Sequence, residues 1–231
     1  MSDPRPVALI TGASSGMGRE IARELSRTHR IIAVGRDASR LSAVAAETGG
    51  EPWRLDVTDA EGLAERVAGL DRLDVLVHAA ALARTLRVDE ADPQDWHRHF
   101  AVNVTAPATL TRLALPLLRA ARGTVVFIGS GASTRPVPGS AVYSATKHAL
   151  RAVADVLRID EEAHLVRVVT VAPGQTDTPM LRDMVPDEHY TPERYIRPES
   201  VAGAVRFVVD APADVQITDL AVRPRREIAR I

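Results

Sequence analysis

The 231-residue sequence contains no cysteine. Disulfide bonds, thiolate metal sites and a cysteine nucleophile are therefore excluded together. Aromatic residues make up only 3% of the chain, so a flat pocket walled by aromatic rings is not indicated. No charge of one sign dominates either, because 29 Lys and Arg residues balance 30 Asp and Glu residues and the formal net charge is −1. A general attraction to nucleic acid or to an anionic membrane is thus not expected.

Long apolar runs and a targeting signal are missing as well. No stretch approaches the roughly 20 apolar residues that span a bilayer, and the start MSDPRPVALI has no basic segment followed by an apolar run. We therefore expect a soluble cytoplasmic protein with no membrane partner and no nucleic-acid partner. The length and the 45% apolar content suit one domain over residues 1–231, with enough chain to bury a substantial core.

Short runs rich in Val and Ile alternate with helical patterns along the chain. The strongest predicted strands are 7–10, 31–34, 75–77, 125–128 and 166–171, with further candidates at 53–57 and 215–222. The predicted helices are 16–27, 38–47, 59–70, 93–119, 144–163 and 199–210. The fourth should be bent or interrupted at Pro107 and Pro116. This alternation predicts an α/β fold, a Rossmann-like doubly wound parallel sheet of about seven strands with helices on both faces.

Three glycines follow the first predicted strand, in Thr11-Gly12-Ala13-Ser14-Ser15-Gly16-Met17-Gly18. Gly12 permits a tight turn, Gly16 lets the backbone approach a pyrophosphate, and Gly18 lets the helix pack close to the sheet. The start of the helix adds free amide donors and a positive dipole end. The alternative is an ordinary strand–helix turn with no ligand. The pattern predicts a dinucleotide site formed by Gly12, Ser14, Ser15, Gly16, Met17 and Gly18.

The second predicted strand ends in Gly35-Arg36-Asp37, and this ending bears on the choice of cofactor. An NAD-binding protein is expected to carry a carboxylate here that accepts hydrogen bonds from the ribose 2′-hydroxyl. This chain has Gly35 at that position, whereas Arg36 can form a fork with a 2′-phosphate. Asp37 is explained as a helix cap. NADP(H) is therefore preferred over NAD(H), and the alternative for Arg36 is a solvated surface arginine.

Tyr143 and Lys147 stand four residues apart, so on a helix both side chains project from one face. A phenol has a pKa near 10 and is a poor base at neutral pH. A nearby ammonium would lower the pKa of the phenol toward the working range. Ser130 follows the strand at 125–128, and its hydroxyl can hold a substrate carbonyl oxygen. Taken singly, the Tyr-x-x-x-Lys spacing is more often helix packing; together these residues predict proton transfer at a carbonyl or an alcohol.

These motifs resemble those of the short-chain dehydrogenase/reductase family over roughly residues 5–222. The turn matches the family's T-G-x-x-x-G-x-G, and the family's catalytic set is matched in chain order by Asn103, Ser130, Tyr143 and Lys147. The resemblance implies an NADP(H)-dependent oxidoreductase in which Tyr143 is the general acid or base for a small carbonyl or alcohol substrate. It further implies that Asn103 helps to hold a water that links Lys147 to solvent, and that Lys147 binds the nicotinamide ribose.

The same resemblance implies further contacts with the cofactor. The residues concerned are Asp56, Val57, Ala80, Asn103, Tyr143, Lys147, Val171, Pro173, Gly174 and Thr176. The segment 180–198 follows the last of these and is expected to form a substrate lid. A homodimer or a homotetramer is also implied. For Asp56 a plain capping role is the alternative.

Two segments depart from the family pattern. His78-Ala79-Ala80-Ala81 stands where many relatives read Asn-Asn-Ala-Gly, so Ala81 needs a backbone conformation that tolerates a Cβ. The segment 223–231 contains four arginines and is expected to be a solvated tail or a subunit contact rather than a nucleic-acid arm. No metal site is expected, because His97 and His99 are two apart on a predicted helix, would face opposite sides, and are expected on the surface.

Two other functions share these motifs. An epimerase or a dehydratase uses the same Tyr-Lys chemistry, although 231 residues leave little room for the larger substrate domain that such enzymes carry. A nucleotide-sensing protein without turnover is the other alternative. Such a protein would be expected to lose Tyr143 or Lys147, and this chain has both.

Overall fold

Seven parallel strands form one sheet in the computed structural model, which describes residues 4–226. The strands are β1 (Val7–Thr11), β2 (Arg30–Gly35), β3 (Glu51–Arg54), β4 (Val75–His78), β5 (Thr124–Ile128), β6 (Arg167–Pro173) and β7 (Asp219–Val222). Their order across the sheet is β3–β2–β1–β4–β5–β6–β7. The chain winds outward from β1 to β3 and then returns to β4, so the predicted doubly wound parallel sheet is confirmed.

Eight α-helices connect the strands in the described part of the chain. They are α1 (Gly16–Leu25), α2 (Ala38–Thr48), α3 (Ala60–Ala68), α4 (Pro93–Phe100), α5 (Ala106–Ala121), α6 (Ala141–Asp160), α7 (Pro179–Arg182) and α8 (Pro198–Val209). Short 3₁₀ turns occupy Gly131–Ser133, Glu162–His164, Asp187–His189 and Pro192–Arg194. No helix within residues 4–226 is both long and apolar enough to cross a bilayer.

The predicted helix at 93–119 is interrupted just before Pro107. A π-helical turn, Ala101–Thr105, separates α4 from α5. Pro107 follows this turn within a continuous helical backbone, and its ring has no amide and would clash with the carbonyl of Asn103 in a regular α-helix. Pro116 lies inside α5 without ending it. The π-helical turn carries Asn103, whose side chain is buried, and such turns often occur at functional sites.

Helices cover both faces of the sheet because the central strands are apolar on both sides. Every residue of β1, β4 and β5 is buried. On one face the strands pack against α1, α2 and α8, and on the other against α3, α5 and α6. The outer strands β3 and β7 are short and partly exposed. This partial exposure explains why their apolar patterns placed them less accurately, at 53–57 and 215–222.

The carboxyl ends of the parallel strands meet along one edge of the sheet. β1 pairs with both β2 and β4, so the order of strands reverses between β1 and β4. Ligands of such sheets bind in the crevice at this reversal. The glycine turn after β1, the segment after β4, Ser130 after β5 and Gly174 after β6 all lie on this edge.

Candidate active site

The three glycines of the first turn each occupy a place that a side chain would fill. Gly12 has φ +68°, and a Cβ there would lie 2.8 Å from the Cα of Ala80. A Cβ on Gly18 would overlap the carbonyl oxygen of Gly12. Gly16 has φ +53°, and its missing Cβ would lie 3.2 Å from Cγ2 of Thr178. The turn is therefore a close-packed cradle between β1 and α1, as the spacing predicts.

The start of α1 leaves backbone donors available at this cradle. Ser15 is the N-cap residue, but its side chain makes no capping hydrogen bond, and the first turn of α1 has no acidic residue. Ser14, Ser15 and Gly16 line a cavity of about 450 Å³ whose opposite wall includes Thr178 and Pro179. Free amides and a positive helix end suit an anionic phosphate. Met17 lies on the inner side of the helix and packs against the core.

Two charged residues stand beside the end of β2. The Arg36 side chain is 82% exposed, and its nearest acidic group is Asp56, at 3.7 Å between Nη1 and Oδ2. A Cβ on Gly35 would lie 3.2 Å from Oγ of Ser14, so the position that carries the carboxylate in NAD-binding proteins is here a tight glycine. The exposed Arg36 side chain can therefore contact an anion beside the end of β2.

Asp56 has a local structural role. Its Oδ1 accepts hydrogen bonds from the amide and the hydroxyl of Thr58, at 2.9 Å and 2.7 Å. Burial raises the pKa of Asp56, but these hydrogen bonds and the Arg36 charge outweigh burial and lower it overall. Val57 beside it packs against the core. The predicted adenine contacts of both residues stay predictions.

Ser130 and Tyr143 come together at the ends of β5 and the start of α6. The Ser130 side chain is near enough to Tyr143 to act on the pKa of its phenol, and Oγ of Ser130 accepts a hydrogen bond from the amide of Ala132, at 3.1 Å. Burial raises the pKa of Tyr143, and the nearby Ser130 hydroxyl only partly offsets this effect. The predicted catalytic roles of Ser130 and Tyr143 stay predictions.

Lys147, the only lysine in the sequence, lies one helical turn beyond Tyr143. Its ammonium is buried, donates a hydrogen bond to the Ile128 carbonyl at 2.9 Å, and lies 5.7 Å from the centre of the Tyr143 ring. Burial lowers the pKa of Lys147 to about 8. The predicted lowering of the Tyr143 pKa by Lys147 is not found: burial of the phenol dominates, and the ammonium hydrogen-bonds to Ile128.

Asn103 connects three parts of the site. Its Oδ1 accepts from the amide of Leu82 at 2.7 Å, and its Nδ2 donates to the Leu82 carbonyl at 2.8 Å and to Oγ1 of Thr146 at 3.0 Å. Thr146 in turn donates to the carbonyl of Tyr143 at 2.8 Å. Asn103 therefore fixes the loop after β4 against α6. Its predicted part in a water link to Lys147 stays a prediction.

The unusual segment after β4 is accommodated without strain. His78 is buried, its Nε2 hydrogen-bonds with Oγ1 of Thr111 at 2.8 Å, and its ring stacks on Phe127 at 4.9 Å. Burial lowers the pKa of His78 to about 3, so the ring is neutral. The amides of Ala79 and Ala80 donate to Oγ1 of Thr11 instead. Ala81 has a backbone conformation that tolerates a Cβ, because among described non-glycine residues only Arg122 and Leu165 have positive φ.

The segment after β6 corrects one assignment. Thr176 donates its hydroxyl to the Gly174 carbonyl at 3.0 Å, and both follow Pro173 at the sheet edge. Val171, in contrast, is fully buried inside β6, and its carbonyl accepts from the amide of Gly129 at 2.8 Å. The predicted cofactor contact of Val171 is therefore wrong, because its side chain belongs to the core and lies below the edge.

The expected lid, 180–198, is hydrogen-bonded to Asp177, three residues before its start. Asp177 accepts hydrogen bonds from the Tyr190 hydroxyl at 2.5 Å and from Arg182 at 2.8 and 2.9 Å. The guanidinium of Arg182 lies over the Tyr190 ring, which also contacts the ring of Tyr195. The hydrogen bond from Tyr190 contributes most to a lowered pKa of Asp177. This cluster connects the lid to the loop after β6.

Two residues near the site, Thr178 and Thr11, were not identified from the sequence. Thr178 contacts Gly16 and caps α7, and Thr11 accepts hydrogen bonds from the amides after β4. Only the three-dimensional contacts reveal either role.

His97 is exposed as expected, but the prediction of a surface position for His99 is wrong, because it is fully buried. Among the described residues, no group of three His, Asp or Glu side chains is placed to hold a metal ion.

Comparison with known proteins identifies the family. The family model described as short chain dehydrogenase matches residues 6–189. An NADP-dependent 3-hydroxy acid dehydrogenase of Salmonella typhi is 33% identical, with 94% of each chain covered. A serine 3-dehydrogenase of Rhizobium radiobacter is 31% identical, with 94% of this chain and 92% of the relative covered. The chain belongs to the short-chain dehydrogenase/reductase family, as the motifs predict.

Solved structures agree with the sequence relatives. The closed form of a serine dehydrogenase complexed with NADP+ has a TM-score of 0.86 and 31% identity, over 94% of each chain. An alcohol dehydrogenase from the archaeon Thermococcus sibiricus, complexed with 5-hydroxy-NADP, has a TM-score of 0.87 and 28% identity, over 98% of this chain and 99% of that chain.

Proposed function

We propose that this protein is an NADP(H)-dependent oxidoreductase that interconverts an alcohol and a carbonyl by hydride transfer. The observation that carries the proposal is the proximity of the Ser130 hydroxyl to the Tyr143 phenol, with Lys147 buried one helical turn away. This group lies on the same sheet edge as the glycine cradle. A proton-transfer group beside a dinucleotide cradle is what hydride transfer to a carbonyl requires.

Each residue has a part that follows from its position. Ser130 donates a hydrogen bond to the substrate oxygen and holds it beside Tyr143. Tyr143 gives a proton to that oxygen during reduction and takes it back during oxidation. Lys147 supplies a positive charge behind the phenol and, by family resemblance, binds the nicotinamide ribose. When bound, NADP(H) supplies or accepts the hydride.

The preference for NADP(H) is supported by the residues at the end of β2. Gly35 supplies no carboxylate where NAD-binding proteins carry one, a Cβ there would lie only 3.2 Å from Oγ of Ser14, and Arg36 is exposed beside it. The relatives compared above include an NADP-dependent dehydrogenase and two structures with NADP or an NADP derivative. We expect Arg36→Ala to weaken NADPH binding roughly 10- to 100-fold, because it removes a charge-assisted contact with a phosphate. NADH binding should change little, and calorimetric titration with both nucleotides measures the difference.

We further propose that 180–198 is the substrate lid and that the protein assembles as a homodimer or a homotetramer. The support for the lid is its attachment to Asp177, at the mouth of the cavity lined by Ser14 and Thr178. The relatives act on 3-hydroxy acids and on serine, according to their names. Small hydroxy acids and their oxo forms are therefore the first substrates to test.

The decisive experiment follows the absorbance of NADPH with a panel of ketones, aldehydes, oxo acids and alcohols. We expect turnover by the native protein, and a loss of at least about a hundredfold in Tyr143→Phe without loss of NADPH binding. Full activity of Tyr143→Phe would reject the assignment of the proton donor. NADPH binding without turnover of any compound would favour the sensing protein. Conversion of a substrate without net change in NADPH would favour an epimerase or a dehydratase.

A further inference from the structure

The chain directly after β7 crosses toward the catalytic serine. Arg223 is the first residue beyond β7, and its guanidinium contacts the backbone of Gly131, the neighbour of Ser130. A Cβ on Gly131 would overlap Nη1 of Arg223 and would lie 3.2 Å from its Cζ. A Cβ on Gly174 would lie 3.7 Å from both Cδ and Nη1 of Arg223. The side chain therefore lies in a slot that exists because residue 131 is glycine, whereas a Cβ at residue 174 would make only an ordinary contact with it.

This guanidinium has no acidic neighbour that would neutralise it. Within residues 4–226, Arg223 makes no salt bridge and no side-chain hydrogen bond, whereas many of the other arginines there pair with an acid, among them Arg36, Arg119 and Arg182. Arg223 is also exposed, so solvent and small solutes reach it. Five donors in a planar fork are thus available next to the residue that holds the reacting oxygen.

The position excludes the anionic groups of the nucleotide as partners of Arg223. The 2′-phosphate corner is at β2, and three strand spacings separate β2 from β5, after which Gly131 and the Arg223 guanidinium lie; this corresponds to roughly 14 Å. The phosphate cradle is at Gly16, after β1. The carboxyl ends of β5 and β6, where Arg223 lies, belong to the substrate side of the site. The substrate is therefore the partner to consider for Arg223.

We propose that Arg223 binds a carboxylate of the substrate, so that the protein acts on an oxo acid and the corresponding hydroxy acid. The inference rests on the proposed function, because it needs a substrate oxygen at Ser130. The Arg223 guanidinium lies against Gly131, and the Cα atoms of Gly131 and Ser130 are about 3.8 Å apart. This distance is about the length of a short carbon chain. A carboxylate close to the reacting carbonyl fits this spacing.

The test compares 3-oxo acids of increasing chain length, each with its neutral methyl ester, in the native protein and in Arg223→Met. The native protein should prefer the acid of each pair. Arg223→Met should lower kcat/KM for the acids roughly 10- to 100-fold and change kcat/KM for the esters by less than about threefold, because a charge-assisted fork is lost. Arg223→Lys should recover part of the acid activity, since an ammonium keeps the charge but not the fork.

Arg225→Met is the matched control, because Arg225 is an exposed arginine of the same segment. It should leave the preference for acids unchanged. Equal losses for acids and esters in Arg223→Met, or no preference for acids in the native protein, would overturn the inference while leaving the proposed oxidoreductase intact.

If the native protein reduces no compound of this series and none of the wider panel above, the proposed function fails instead. Binding of the same acids to the protein mixed with NADP+ then decides the role of Arg223 by calorimetry. Weaker binding in Arg223→Met than in Arg225→Met supports the carboxylate site, and equal binding refutes it.

Discussion

Lys147 carries a charge that burial disfavours, and the free energy of unfolding should reveal this cost. Its pKa falls from 10.5 to about 8 because the ammonium is buried. Its only hydrogen bond among described residues is the one to the Ile128 carbonyl. Replacing Lys147 with Met removes the buried charge and keeps a chain of similar length. We expect Lys147→Met to be inactive and yet, at neutral pH, more stable than the native protein.

The magnitude follows from the pKa. The lowering of the Lys147 pKa from 10.5 to about 8 corresponds to about 3 kcal/mol of unfavourable free energy for the charged lysine, because a difference of one in pKa is worth roughly 1.4 kcal/mol. The substitution also leaves the Ile128 carbonyl without its donor, which costs about 1–2 kcal/mol. Below pH 8 we therefore expect the free energy of unfolding of Lys147→Met to exceed that of the native protein by about 1–2 kcal/mol.

The sign of the difference should reverse with pH. Between about pH 8 and pH 10.5 the unfolded chain still holds the proton that folded Lys147 has released. The native protein therefore gains stability over this interval relative to Lys147→Met. Above pH 10.5 the lysine is neutral in both states and keeps its hydrogen bond. The native protein should then be the more stable of the two by about 1–2 kcal/mol.

Urea unfolding of both proteins from pH 7 to 11 measures this crossover. The same series in a Tyr143→Phe background is the control, because Tyr143 also titrates at high pH. Since Lys147 is the only lysine of the chain, selective ¹³Cε-lysine labelling gives one NMR resonance whose pH titration reports its pKa directly. A resonance that titrates near 10.5, or a stability difference that does not vary with pH, would refute the reasoning.

Two further predictions concern the cradle and the lid. Gly18→Ala should lower the free energy of unfolding by more than about 2 kcal/mol and weaken NADPH binding, because its Cβ would overlap the Gly12 carbonyl. Urea unfolding and calorimetric titration measure both effects, and a variant of native stability would contradict the packing argument. Tyr190→Phe should raise the rate of limited proteolysis within 180–198 several-fold, because it removes the hydrogen bond to Asp177. Tyr195→Phe is the matched control, since its hydroxyl has no hydrogen-bond partner among the described residues, and equal rates in the two variants would argue against the attachment.

Patterns that act over a few residues were predictable from the sequence. The central strands are apolar on both faces and the helices on one, so their alternation identifies a parallel sheet with two helical layers. The glycine spacing and the order of Asn103, Ser130, Tyr143 and Lys147 identify the family. Edge strands were placed less well, because partial exposure weakens their apolar pattern. Pro107 indicated an interruption of the long helix, but the sequence did not show that the interruption is a π-helical turn that buries Asn103.

The chain's own pattern therefore determines which elements form and which residues follow each strand at the binding edge. Contacts between distant parts of the chain decide the chemistry of those residues. Burial, which no local pattern reports, raises the pKa of Tyr143 and lowers that of Lys147. The slot for Arg223 exists because Gly131, far away in the sequence, has no side chain where the residue after β7 crosses it. Spacing along the chain sets the candidates, while desolvation and proximity in space assign their roles.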